Sequence, residues 1–211
     1  MSEWARWHEA YDIPGSALAV RLGIVIRRVA EALDARAPGP VRLVSMCAGQ
    51  GRDVAGALDG HPRRGDVTGR LVELDAANAA VARDLLAGAA LEVVEADAGD
   101  SGAYAGAVPA DVVLVCGVFG NITDDDIRAT IAALPELCAA GARVIWTRHR
   151  GAPDATAGIR RWFAEAGFRE VAFDAPDDLE IGVGVHELVV PPRPYAGPRR
   201  LFSFVRRAPR G

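Results

Sequence analysis

Lysine is absent from this 211-residue chain: its 24 basic residues are all arginine and are outnumbered by 28 acidic ones, for a formal net charge of −4. A mildly acidic chain without a dense basic patch is poorly suited to gripping long nucleic acid, an affinity that rests largely on neutralised phosphates. Cysteine is scarce. Cys47, Cys116 and Cys138 are odd in number, far apart and set in apolar runs, which speaks against a disulfide frame or a zinc site and suits reduced thiols in a cytoplasm. Long apolar runs are missing as well. The longest uncharged one, Val112 to Thr123, holds 12 residues, too few to span a bilayer. The charged start Met1-Ser2-Glu3-Trp4-Ala5-Arg6 does not read as a secretory segment, so a cytoplasmic location is expected. There is no internal repeat and no low-complexity stretch.

What is present is 50% hydrophobic and 25% charged, the mix of a globular protein with a core. At this length neither disulfides nor a structural metal are needed, and no metal site is expected. The length favours one domain overall, with residues 1–40 as a helical extension before a domain at 41–211.

From Ser16 the residues Leu18, Leu22, Val25, Val29 and Leu33 recur at helical spacing, with Ser16 as N-cap and Pro38-Gly39-Pro40 as the stop. Val41–Met46 reads as a buried strand, followed by a turn over Cys47–Arg52 and a helix over Asp53–Leu58. Strands are then expected at Gly69–Leu74, Leu91–Glu95, Asp111–Cys116, Ala142–Thr147 and Phe168–Phe173. Helices are expected at Ala76–Leu86, Asp124–Ala139 and Asp154–Ala166. Asp124, Asp125 and Asp126 complement the positive end of their helix. Leu201–Val205 reads as the last strand, while Gly182–Val190 reads either as a strand or as an irregular segment. The alternation predicts an α/β fold: a doubly wound, mostly parallel sheet with helices on both faces. With no helix between Phe173 and the final strand, the last pair should be an antiparallel hairpin at the sheet edge.

Ligands of such sheets bind beyond the carboxyl ends of the strands. At the first end stand Gly49 and Gly51 around Gln50, where glycine permits close backbone approach and positive φ. At the second end stands Glu73, a carboxylate able to accept from both hydroxyls of a ribose. At the third stand Asp97, an acceptor for an adenine amino group, and Ala98, whose N–H can reach a ring nitrogen. One nucleoside thus accounts for three successive strand ends. No Lys-Ser/Thr follows the glycines, which excludes a triphosphate-binding loop.

The order of these motifs, from Val41 to about Val205, resembles that of the class I S-adenosylmethionine-dependent methyltransferases. The glycine loop of that family reads acidic-x-Gly-x-Gly-x-Gly; here it is Ser45-Met46-Cys47-Ala48-Gly49-Gln50-Gly51, with Ser45 at the acidic position and Cys47 at the first glycine. Val72-Glu73-Leu74-Asp75 resembles the family's ribose-binding strand end and Asp97-Ala98 its adenine-contact pair. Val115-Cys116-Gly117-Val118-Phe119-Gly120-Asn121 resembles the stretch that borders cofactor and acceptor. The resemblance implies a seven-stranded sheet with an antiparallel last strand and S-adenosylmethionine as cofactor. It implies a cofactor site of Cys47, Ala48, Gly49, Gln50, Gly51, Glu73, Leu74, Asp97, Ala98, Cys116 and Gly117. The Asn/Asp-Pro-Pro-aromatic motif of amino-methylating nucleic-acid enzymes is absent, so the expected partner is a small-molecule acceptor, with no nucleic acid or membrane; self-association as a homodimer stays open.

S-adenosylmethionine carries its own activation, so positioning is the protein's main task. A general base is needed only where the acceptor must lose a proton; the candidates, in falling order, are His149, His186, His8 and Tyr11. Cys47 and Cys116 read as small fillers rather than nucleophiles. Arg148-His149-Arg150 is either a solvated charge cluster or part of the acceptor site. Trp4, Trp7, His8 and Tyr11 form either a lid over the cleft or a pin for the N-terminal helix. Two rival functions stand. A nicotinamide-dependent oxidoreductase fits the acidic residue 22 positions after Gly51, but wants a small residue where Val54 stands. A non-catalytic binding module shares the fold.

Overall fold

The computed structural model describes residues 10–205. Seven strands form one sheet: β1 (Val41–Met46), β2 (Val67–Glu73), β3 (Ala90–Glu95), β4 (Ala110–Val115), β5 (Cys138–His149), β6 (Phe168–Asp174) and β7 (Ile181–Leu188), in the order β3-β2-β1-β4-β5-β7-β6. β1 to β5 run parallel, and β7 pairs antiparallel with both β5 and β6. Five helices flank it: α1 (Ala17–Asp34), α2 (Arg52–Leu58), α3 (Ala76–Leu85), α4 (Asp124–Ala133) and α5 (Thr156–Glu165).

Three of the five helices start where a short polar N-cap side chain satisfies one of their first amides. Ser16 accepts from the Ala19 N–H at 3.1 Å, Asp75 from Asn78 at 3.0 Å and Thr123 from Asp126 at 3.1 Å. β4 is a nearly continuous apolar run, as a parallel strand covered on both faces must be. Val44, Met46, Val113, Val115, Val144 and Trp146 face α4 and α5 through Ile127, Ile131, Ile159 and Phe163. Leu43, Leu71, Leu114 and Ile145 face α1 and α2 through Val25, Val29, Leu33, Val54 and Leu58.

Two expectations are corrected. Leu201–Val205 is not a strand: the seventh strand is Ile181–Leu188, the segment whose reading was open, and it lies inside the sheet with β6 at the edge. Its apolar pattern is diluted by Gly182 and Gly184, because the aromatic rings of neighbouring strands fill the space that side chains would take. A Cβ on Gly184 would lie 2.3 Å from the Trp146 ring, and one on Gly182 3.2 Å from the Phe173 ring. The apolar Leu201–Val205 segment serves as a strap instead. Leu201 and Phe202 are buried, the Leu201 N–H donates to Gly99 O at 2.7 Å, the Thr130 hydroxyl to Leu201 O at 3.1 Å, and the Val205 N–H to Asn121 O at 2.9 Å. The second correction is the end of α4, which stops at Ala133 rather than Ala139. Pro135 falls in a 3-10 turn, Leu134–Glu136, and β5 begins at Cys138; proline cannot continue the helical ladder.

Replacing Gly184 with Ala should cost about 1–3 kcal/mol by overpacking against Trp146, and part of that loss should return in a Trp146→Phe background. Urea unfolding of the single and double variants checks this; additive losses would contradict the contact.

Candidate functional site

Strand order reverses between β1 and β4, and in such sheets the loops after these strands flank the crevice in which ligands bind. The loop after β1 forms one wall. Cys47 has φ 52°, Gly49 φ 56° and Gly51 φ 67°, and among the described residues Cys47 is the sole non-glycine with positive φ. All three alternate positions of the loop are therefore left-handed, although only two are glycine. At Gly51 an added Cβ would stand 3.1 Å from Leu71 Cδ2 and 3.4 Å from Ala82 Cβ, so this glycine serves the close packing of α2 on β2 and α3.

The loop is held from the second strand end. Glu73 Oε2 accepts from the Gly49 N–H at 2.7 Å and Oε1 from the Asp75 N–H at 2.8 Å, while the Ala48 N–H donates to Val72 O at 2.9 Å. Each carboxylate oxygen retains a lone pair for a further donor. Leu74 beside it is 66% exposed, an apolar surface at the rim. Gln50 reaches Asn78 Oδ1 through Nε2 at 3.4 Å and accepts from Arg52 Nε at 2.8 Å.

At the third strand end Asp97 accepts from the Gly99 N–H at 2.8 Å and pairs with Arg200 Nη1 at 2.6 Å. Burial raises its carboxyl, but the Arg200 contact and the Gly99 amide outweigh this and hold it below the usual range. Ala98 is buried, and its carbonyl accepts from the Tyr104 hydroxyl at 2.6 Å. Arg200 stands 103 positions from Asp97, and no local pattern in the sequence announces it.

Beyond β4 the Gly117 N–H donates to Thr147 Oγ1 at 2.9 Å and its carbonyl accepts from Asn121 Nδ2 at 2.7 Å. A side chain at Gly117 would enter open space, so its backbone borders the crevice. Burial, and then the charge of Asp53, push the Cys116 thiol up; burial, Glu73 and Asp97 do the same at Cys47. Both thiols stay protonated at neutral pH, which accords with filler roles.

A polar cluster faces Cys116 from α1 and α2. The Tyr11 hydroxyl accepts from Arg21 Nη2 at 2.7 Å, and the Arg21 and Arg52 guanidiniums lie 5.9 and 5.8 Å from the Tyr11 ring centre. Arg52 also pairs with Asp12 at 2.7 Å. Asp53 shares this space, its charge acting on Tyr11 and on Cys116. Burial raises the Asp53 carboxyl, against the Val54 amide, its own amide and the Arg21 charge. Arg21, within α1, and Asp53, in the first turn of α2, are not among the residues that the sequence motifs single out.

The base candidates fare differently. Tyr11 lies beside Arg21 and Arg52, and burial foremost raises its hydroxyl, which disfavours the ionised form. His149 is at the carboxyl edge with both nitrogens engaged: Nδ1 accepts from the Gly151 N–H at 3.0 Å and Nε2 stands 3.2 Å from Glu180 Oε2. His186 is not at the edge at all. It pairs with Val144 in mid-sheet, is 1% exposed, stacks on Phe163 at 4.3 Å and accepts from Trp146 Nε1 at 3.1 Å. Its place in β7 explains the error, since the expected end of the sheet lay elsewhere. His8, Trp4 and Trp7 lie outside the described residues. Among those described, no group of His, Cys, Asp and Glu could hold a metal ion, and no helix is long and apolar enough to cross a membrane.

No family model matches the chain, and no curated protein matches it either. Solved structures do. Magnesium protoporphyrin IX methyltransferase (ChlM) from Synechocystis PCC 6803, with S-adenosylmethionine bound, superposes with a TM-score of 0.65 over 88% of this chain and 91% of that one, at 13% identity. The fold is that of the class I methyltransferases. The CurJ carbon methyltransferase matches with a TM-score of 0.62 at 14% identity over 84% of this chain, which spans 56% of that longer one. The 1,6-didemethyltoxoflavin-N1-methyltransferase of Burkholderia thailandensis, with its substrate and S-adenosylhomocysteine bound, matches with a TM-score of 0.56 at 17% identity, covering 79% of each chain.

The buried histidine generates a pH prediction. Burial, stronger than the pull of Glu170, lowers the His186 pKa from 6.5 to about 4. The unfolded chain therefore binds a proton that the folded chain refuses between these values, and stability falls as pH drops through that window. From pH 7 to pH 4.5 the wild type should lose about 2–3 kcal/mol more than His186→Gln, which keeps an acceptor for Trp146. Urea unfolding at the two pH values tests this, and equal losses would show that His186 is not held neutral.

Proposed function

We propose that this chain binds S-adenosylmethionine across the ends of β1, β2 and β3 and transfers its methyl group to a small-molecule acceptor. One observation carries the reading. The Cys47–Gly51 loop takes the left-handed geometry of a three-glycine loop and is latched to Glu73, with the second carboxylate, Asp97, at the next strand end. The methyltransferase fold supports it, as do the S-adenosyl ligands in the structures of ChlM and the toxoflavin enzyme.

The residues present fit the cofactor. Glu73, oriented by two amides, accepts from the ribose hydroxyls; Asp97, held through Oδ2 by Arg200, accepts from the adenine amino group. Ala98 offers its backbone, and Leu74 an apolar surface. Arg21 and Asp53, opposite in charge at the β1–β4 crevice, match the carboxylate and ammonium of the amino-acid end. When bound, the cofactor supplies a methyl group activated by its sulfonium. The chain holds the acceptor in line and excludes water, a contribution worth up to ~7–11 kcal/mol. No described histidine is placed to serve as base, and positioning suffices for an acceptor that arrives with a free lone pair. The net charge of −4 favours a small acceptor over nucleic acid. The free thiols Cys47, Cys116 and Cys138 fit a cytoplasmic setting. Tyr11, bonded to Arg21 of α1, forms part of a cover on the α1 side of the site.

Calorimetry separates the cofactors: S-adenosylhomocysteine should bind and NADH should not, and the reverse result would overturn the reading. Glu73→Ala should weaken S-adenosylhomocysteine and 5′-methylthioadenosine alike, by tenfold or more. Arg21→Ala and Asp53→Asn should weaken only the first, since methylthioadenosine lacks the amino-acid end. Equal losses on both ligands would reject their assignment.

A further inference from the structure

We propose that Arg148 is an anion clamp for the methyl acceptor, so that the acceptor carries a carboxylate or a comparable planar oxyanion. The proposal rests on the reading above only for which part of the crevice the acceptor enters.

Arg148 is the penultimate residue of β5, backbone-paired with Gly182 of β7, at the carboxyl edge of the sheet. Its half-buried side chain reaches over the end of β4, where Nη1 donates to Phe119 O at 2.6 Å. Phe119 belongs to the Gly117–Asn121 turn that borders open space at Gly117. This is the side of the crevice away from Glu73 and Asp97, where an adenosine has no use for it.

Three other arginines of this edge have carboxylates. Arg52 pairs with Asp12 at 2.7 Å, Arg150 with Asp154 at 3.4 Å and Arg200 with Asp97 at 2.6 Å. Among the described residues no ion pair reaches Arg148, and its Nε is buried without a hydrogen-bond partner. A guanidinium stays charged at any physiological pH, and burying an N–H without an acceptor is unfavourable. Folded chains satisfy such groups as a rule, so an exception at a ligand edge points to a partner from outside.

The geometry says which partner. Nη1 is anchored to the Phe119 carbonyl, which fixes the plane of the guanidinium. The edge left over is Nε–H with Nη2–H, two parallel donors spaced to match the two oxygens of a carboxylate. A neutral amide offers only one acceptor to that edge and leaves the charge uncompensated. Arg148 is thus a specificity residue, holding one end of the acceptor while another atom receives the methyl group.

The test uses sodium benzoate and benzamide as probes, same-shaped ligands that differ in charge, titrated with and without S-adenosylhomocysteine. Wild type should bind benzoate at least tenfold more tightly than benzamide. Arg148→Gln should abolish the preference while leaving S-adenosylhomocysteine affinity within twofold. Arg148→Lys, which keeps the charge but not the fork, should retain a part of it. Equal or undetectable binding of the two probes to wild type, or a preference that survives in Arg148→Gln, would overturn the clamp. Thermal melting checks that Arg148→Gln folds; if it does not, Arg148→Lys decides, with an undiminished preference counting against the fork. Failure of S-adenosylhomocysteine to bind any form would sink the cofactor reading and leave the benzoate comparison standing by itself.

Discussion

The crevice depends on the carboxylate of Glu73, which reaches from the end of β2 to the Gly49 amide and back to the Asp75 amide. Left-handed backbone at a residue with a Cβ, as at Cys47, costs about 1–2 kcal/mol. A hydrogen bond to an ionised group contributes about 1.5–3 kcal/mol, so the two at Glu73 are of the size needed to hold a loop that one of its own residues resists. The same side chain then has one lone pair on each oxygen for a ligand. Anchoring and recognition are thereby tied to one residue, and a ligand that engages Glu73 meets a carboxylate already fixed in place.

The charges along the carboxyl edge are sorted. Glu73 and Asp97 stand at the ends of β2 and β3, whereas Arg148 stands at the end of β5, with Arg21 and Asp53 between them near β4. A long ligand with hydroxyl and amino donors at one end and an anion near the other would find complementary partners along the whole row. Asp97 is the place where this sorting is moderated, since Arg200 already neutralises it and stands beside whatever it accepts.

Much of the fold is legible in the sequence because local signals agree there with the global arrangement. Val41–Met46 is bounded by its apolar run and the prolines before it, and Ser16 marks the start of α1. Legibility fails where one strand's identity depends on another's side chains. Gly182 and Gly184 look like breakers until Trp146 and Phe173 are known to lie over them, and an apolar Leu201–Val205 looks like a strand until its hydrogen bonds are seen to go to loops. For the site the same holds. The positions of the glycine loop and of the carboxylates at the strand ends are readable, while Arg21, Asp53 and Arg200 take their places only through helix packing or a contact spanning half the chain. His186 was misread for the converse reason: a histidine in an unassigned segment carries no mark of being walled in by Phe163 and Trp146.

The strap has a consequence for the order of assembly. Leu201 ties Gly99 to Thr130, and Arg200 reaches Asp97 across 103 positions of sequence. Contacts of such separation carry a high loop-closure cost and form after local ones. During synthesis the sheet from β1 to β4 can be laid down while the turn at Asp97–Ser101 still lacks its far neighbours. The Asp97–Ser101 turn therefore takes its final form only once the C-terminal strap has docked, later than the pairing of the central strands.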